Sequence, residues 1–331
     1  MSYLQKLIMK NTKIKPKNTL ILICAFILAV IASFSDANAR DYNINKISSA
    51  NNYSVDKSDF TLPFHLIDGY VFIDGQVNNK KGKFMFDTGT PFAFLVNNHF
   101  VPLAKDVFFA EGHAASGQPL VLYTQKRAVS VNLTEQIKRG KLKSLLHTNF
   151  DFIEKAVLKY FLGMTGHDFN KDYLFIINFD NQTIDFHSFK QDNKTLSAYI
   201  NKESVIATLP FTAKDDGRNP EVDLLIGNEK ITGAFDTGNR SGLIITEEMK
   251  SRLEKAGNLI VEKKDYLYGI NAPYLSCTLR KLTFNNQPLE DIHNIDLKIG
   301  DANELWLGYQ FLKHYVSAWD YKNKTITLLK R

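Results

Sequence analysis

The tripeptide Asp-Thr-Gly occurs twice, in "FMFDTGT" at residues 84–90 and in "GAFDTGN" at residues 233–239, each time behind an apolar run. Two carboxyl groups in contact, Asp87 and Asp236, could hydrolyse an amide without a metal or a covalent intermediate. Like charges at short range cannot both ionise, so such a pair holds one shared proton. The ionised member takes a proton from a water lying between them, and the protonated member hydrogen-bonds the scissile carbonyl. The titration then belongs to the pair and not to either acid. The neighbours suit the same chemistry. Thr88 and Thr237 can each reach the other copy's backbone and lock the two loops face to face. Gly89 and Gly238 permit a tight turn with an unobstructed N–H aimed at the carboxylate. Phe84, Phe86, Ala234 and Phe235 would hold the acids on rigid strand ends in a partly dry setting.

The elements that must position these acids are themselves duplicated. One series opens at Leu62-Pro63-Phe64 and the other at Leu209-Pro210-Phe211, 24 and 26 positions before the acid. Between lie "YVFIDGQVNNKKGKFMFD" and "EVDLLIGNEKITGAFD", each a strand, a polar turn and a second strand. Ten residues past each acid stands a candidate helix start, Asn97 and Thr246. Thr246 is the clearer cap, with Glu247 and Glu248 in the first turn and Gly257 at the end. Farther on, "YFLGMTGHDFNKDYLFIINFDNQTIDF" corresponds to "LWLGYQFLKHYVSAWDYKNKTITL", which equates Gly163 with Gly308. Repeats of this size are duplicated lobes, not solenoid units. Strands with Gly and Asn turns dominate, so the predicted class is all-β with a few short helices.

The 331 residues divide on this reading into a signal segment at 1–39, a flexible Asn/Ser/Asp-rich leader at 40–60, a first lobe at 61–190, a polar linker at 191–204 and a second lobe at 205–331. Lysines precede the apolar run 19–34, and "SDANAR" offers a cleavage site after Ala39, the pattern of an export signal. The expected location is periplasmic or secreted. The alternative is an inner-membrane anchor through residues 19–34, the sole membrane contact expected. The formal charge of +6 invites nucleic acid, but residues 1–39 hold five of the 41 basic and one of the 35 acidic residues. The remainder carries +2 and has no basic stripe, so no nucleic-acid partner is expected. Beyond Cys24 in the signal the chain has one thiol, Cys277, which reads as a buried strand position.

Other chemistries find no motif. The eight histidines form no HExxH pair or metal spacing, and His113 and His167 read as solvated loop residues. There is no GxSxG elbow and no GxGxxG. No cofactor or metal is expected.

The two "FDTG" segments, each followed downstream by an apolar-apolar-glycine element, make the chain resemble an aspartic protease of the pepsin and retropepsin clan over about residues 62–328. The resemblance implies a two-lobed acid-protease fold, with Asp87 and Asp236 as the catalytic pair. Thr88, Gly89, Thr90, Thr237, Gly238 and Asn239 would support them. It also implies an extended peptide or protein substrate bound between the lobes by strand addition. Both acids lie on one chain, so a monomer should suffice. Thr90 matches the hydroxyl residue common in pepsin-like enzymes, whereas Asn239 departs from it, and an amide donates with a different reach. A flap is expected in residues 111–125, with Ser116 and Gly117 at its small-residue tip and Tyr123 as the covering tyrosine. Gly269 would turn a counterpart loop in the second lobe. The alternative function is a silent, protease-shaped module of the cell envelope that captures peptides or proteins without cutting them.

Overall fold

The computed structural model describes residues 59–331 except 115–117, 134–137, 143–144, 190–195, 214–218 and 265–273. The signal segment, almost all of the leader, the flap tip with Ser116 and Gly117, and Gly269 lie outside the described residues. The rest is all-β with a few short helices. Among the described residues, no helix is long and apolar enough to cross a membrane.

Six strands form a central antiparallel sheet, three from each half of the chain, in the order Val205–Pro210, Thr325–Leu329, Val316–Asp320, Tyr173–Asn178, Thr183–Ser188, Phe60–Ile67. The halves meet where Tyr173–Asn178 pairs with Val316–Asp320, Phe175 opposite Trp319. Alternation shapes the outer strands. In Phe60–Ile67, Leu62 and Phe64 are buried while Pro63 and His65 face out. The acid strands lack alternation because they are covered on both faces: Phe84, Met85 and Phe86 are all buried, as are Gly233, Ala234 and Phe235.

Each acid strand carries the same crossing. Lys80–Phe86 pairs in parallel with Phe161–Thr165, which pairs antiparallel with Phe94–Asn97. Glu229–Phe235 pairs in parallel with Glu304–Leu307, which pairs antiparallel with Gly242–Ile245. A late strand is thus inserted between the strand that ends on the acid and the one that follows it. The acid loop bridges this strand and cannot straighten. Ring contacts then join the two acid strands through the seam. Phe86 meets Phe175 edge-on at 5.6 Å, Phe175 stacks on Trp319 at 5.4 Å, and Trp319 meets Phe235 edge-on at 5.6 Å.

Three expectations change. Thr246 does cap the helix Glu247–Lys255, its hydroxyl accepting from the Met249 amide at 3.2 Å, but no helix begins at Asn97. The buried Asn97 amide instead donates to the Phe161 carbonyl at 2.9 Å and accepts from the Phe150 amide at 3.0 Å. It joins elements distant in sequence where Thr246 caps a local one. Second, the glycine equivalent to Gly308 is Gly166, not Gly163: the parallel registers set Thr165 beside Phe86 and Leu307 beside Phe235. Third, the stretch expected to be a polar linker also covers the sheet. Leu196, Tyr199 and Ile200 pack on Leu174, Ile176 and Ala318.

Replacing Trp319 with Ala removes the ring that joins Phe175 to Phe235 and leaves a cavity at the seam. The expected loss is about 3–5 kcal/mol of unfolding free energy, measured by urea denaturation.

Candidate active site

Asp87 and Asp236 directly follow their strands, have no solvent exposure and face each other across the two loops. Each carboxyl sits over the other loop's glycine. A Cβ on Gly89 would fall 2.8 Å from Asp236 Oδ2, and one on Gly238 would fall 2.4 Å from Asp87 Cγ. No other residue leaves room for this approach. The same glycines donate to their own acids, Gly89 N to Asp87 Oδ1 and Gly238 N to Asp236 Oδ1, both at 2.8 Å.

The threonines cross between loops. The Thr237 amide donates to Thr88 Oγ1 and the Thr88 amide to Thr237 Oγ1, each at 3.0 Å, and Thr237 Oγ1 donates to the Phe86 carbonyl at 2.8 Å. These bonds are buried, so both loop backbones are fixed relative to each other. Beneath them, the inserted strands support the loops in parallel fashion. The Asp87 amide donates to the Thr165 carbonyl at 2.9 Å, and the Asp236 amide lies 3.4 Å from the Leu307 carbonyl. The glycines that follow, Gly166 and Gly308, pass so close that a Cβ on either would lie 2.0 Å from the carbonyl oxygen of Thr90 or Asn239.

The two acids differ in their outer oxygens. Thr90 Oγ1 donates to Asp87 Oδ2 at 2.8 Å. Asn239 does not do this for Asp236: its Oδ1 accepts from the Ser241 amide at 3.0 Å, which corrects the expectation of an amide donor. No side-chain hydroxyl donates to the buried Asp236 Oδ2, which lies against Gly89 of the other loop. Burial raises both carboxyls above the ordinary 3.8. The Thr90 hydroxyl restrains Asp87, while the adjacent Asp87 charge drives Asp236 further up. The Thr90 hydroxyl thus favours the charged form on the Asp87 side of the pair.

Around the pair, the hairpin Val107–His113 and Pro119–Thr124 packs against the first acid loop through Phe109, whose ring meets Phe92 edge-on at 6.1 Å. Tyr123 lies at the end of this hairpin farthest from the turn. It stacks on His147 at 6.1 Å and carries Lys105 Nζ 5.3 Å over its face. It acts there as a strand residue that secures the hairpin's base, not as a tyrosine at the tip. His113 is an exposed strand residue. His167 is not a solvated loop residue. It opens the short helix His167–Asn170, directly after Gly166, and its ring meets that of Tyr321 edge-on with centroids 5.0 Å apart. Tyr321 was missed from sequence, although the repeat pairs it with Phe179 and so displays the added hydroxyl. Cys277 is buried, and its thiol is pushed up to about 12, first by burial and then by the charge of Asp296. Among the described residues no cluster of three or more His, Cys, Asp or Glu side chains could hold a metal ion.

No protein-family model matches the chain, and no curated protein does. Among solved structures the chain is similar to basic 7S globulin from soybean, with a TM-score of 0.49 and 10% identity over 83% of this chain and 95% of that one.

Two outcomes follow from the geometry. Thr237→Val leaves the Thr88 amide and the Phe86 carbonyl buried without their partner, whereas Thr237→Ser keeps the hydroxyl. Chemical denaturation should show a loss of about 2 kcal/mol or more for Val and much less for Ser. The second concerns pH. Acids whose pKa rises on folding stabilise the native state below 3.8, and that contribution fades as pH rises through the native pKa. Asp236→Asn should therefore gain stability over the wild type as pH climbs from 4 towards neutrality, with the gap closing below about 4, read from thermal melts across that range.

Proposed function

We propose that this protein is an exported aspartic endopeptidase with a two-lobed pepsin- or retropepsin-like fold, acting as a single chain on extended peptide segments. The observation that carries the reading is the buried contact between Asp87 and Asp236, each carboxyl seated over the other loop's glycine. A structural turn needs neither the duplication nor the burial of two acids against each other. The motif repeat, the central sheet shared by both halves and the hairpin beside the first acid loop support it. Export rests on the pattern of residues 1–39.

In the proposed reaction a water lies between the carboxyls. Asp87, ionised and held by Thr90 and Gly89, removes a proton as the water oxygen attacks the peptide carbonyl carbon. Asp236 passes its proton to the carbonyl oxygen, and the product is a neutral tetrahedral diol. Collapse of the diol returns a hydroxyl proton to Asp236. Asp87 gives its proton to the departing nitrogen as the C–N bond breaks. The pair is restored to one shared proton, and no acyl-enzyme forms. The crossed threonines keep the carboxyls from separating when the charge moves between them.

Asp87→Asn and Asp236→Asn should each lower cleavage of a peptide library by about 10²–10⁴-fold or more, with circular dichroism unchanged. Turnover near wild type in either variant would refute the shared-proton mechanism.

A further inference from the structure

Beside the first acid loop lie five buried polar atoms without a hydrogen-bond partner in the protein: Thr165 Oγ1, His167 Nδ1, the side-chain oxygen and nitrogen of Asn170, and Tyr321 Oη. Backbone contacts tie this set to the dyad. The Asp87 amide donates to the Thr165 carbonyl at 2.9 Å, and the His167 amide donates to the Thr90 carbonyl at 2.8 Å. His167 and Asn170 stand one turn apart on the same short helix, and the His167 ring touches Tyr321 edge-on. His167 Nδ1 lies 3.7 Å from Asp168 Oδ1, beyond hydrogen-bond reach, and Asp168 is engaged by Lys171 at 2.5 Å.

The other half repeats the packing but not the polarity. By strand register and helix position, Thr165 and Asn170 correspond to Leu307 and Leu312, and the repeat pairs Tyr321 with Phe179. The rings repeat faithfully. Phe64 meets Phe179 edge-on at 5.7 Å as Phe211 meets Tyr321 at 5.6 Å, and Tyr309 packs on Phe179 as His167 packs on Tyr321. Hydrocarbon would therefore fill this space. An unpartnered buried polar group costs about 1–3 kcal/mol, and a fold stable by about 5–15 kcal/mol cannot carry five of them. In native proteins such groups are satisfied by protein or by bound water.

We propose that Thr165, His167, Asn170 and Tyr321 enclose bound water beside the first acid loop, making Tyr321 a positioning residue for the shared proton. The titratable groups facing Tyr321 are Asp236, Asp87 and His167, with Asp168 and Lys171 behind His167. Its remaining ring neighbours are Phe175, Phe211 and Trp319. Burial first, then the charges of Asp236 and Asp87, raise the phenol above its ordinary range. Tyr321 is therefore a donor at every working pH. A donor relayed through water favours the charged form of the pair and offsets part of the cost of burial.

This deepens the hydrolase reading and rests on it only for its kinetic consequence, so the test uses the full chain without substrate. Carboxyl protonation is followed by infrared difference titration with ¹³C-labelled aspartate, and the dyad signal is isolated by subtracting the Asp87→Asn, Asp236→Asn double variant. Tyr321→Phe keeps the ring that Phe179 supplies in the mirrored position. Its protonated-carboxyl band should persist about one pH unit higher than in the wild type. Thr165→Val should shift the band in the same direction, and it carries the test if Tyr321→Phe fails to fold. Titration curves that coincide with the wild type in the folded variants overturn the proposal. Shifted curves in a protein that cleaves no peptide uphold the water-bearing chamber and remove the hydrolase reading. Coincident curves in an active enzyme do the reverse.

Discussion

Two carboxyl groups can be buried in contact only if the backbones that carry them are prevented from relaxing apart. The reciprocal bonds between Thr88 and Thr237 meet this requirement. Each hydroxyl takes the amide of the opposite loop, so separating the acids would strand two amides and the Phe86 carbonyl in a dry interior. The inserted strands act from below, and Gly166 and Gly308 let them approach to a distance no side chain would allow. The repulsion between the acids is thus borne by the whole sheet system and not by the loops alone.

The two halves are alike in backbone and unlike in chemistry. Thr90 and Asn239 occupy the same place in their loops, yet one feeds a hydrogen bond to its acid and the other turns to Ser241. A hydroxyl on one side and none on the other gives the two carboxyls unequal surroundings. Duplication supplies the symmetry that brings the acids together. Departures from it supply the polarity that lets them act differently.

Much of this was legible in the sequence, because the signals were local. The doubled Asp-Thr-Gly, the apolar approach and the Thr246 cap depend on residues adjacent along the chain. What was not legible depended on distant partners. Asn97 looks like a helix cap until Phe150 and Phe161 are brought to it. In "FLGMTGH" Phe161-Leu162-Gly163 fits the apolar-apolar-glycine pattern and Met164-Thr165-Gly166 does not, yet the parallel register against Lys80–Phe86 selects Gly166. Tyr123 met the expectation for a covering tyrosine by its place in the chain, but its partners are His147, Phe108 and Lys105. Tyr321 was hidden in plain view, since a tyrosine opposite a phenylalanine reads as a conservative exchange until its hydroxyl is found to be enclosed.

The order of strands in the central sheet has a bearing on folding. Thr325–Leu329 lies between Val316–Asp320 and Val205–Pro210, so Val205–Pro210 gains its sheet neighbour only from a segment that comes much later in the chain. The seam beneath the two acid loops is completed by the same late segment. The second half therefore closes a long loop before the two aspartates can meet, and that closure has an entropic cost which the completed seam must offset.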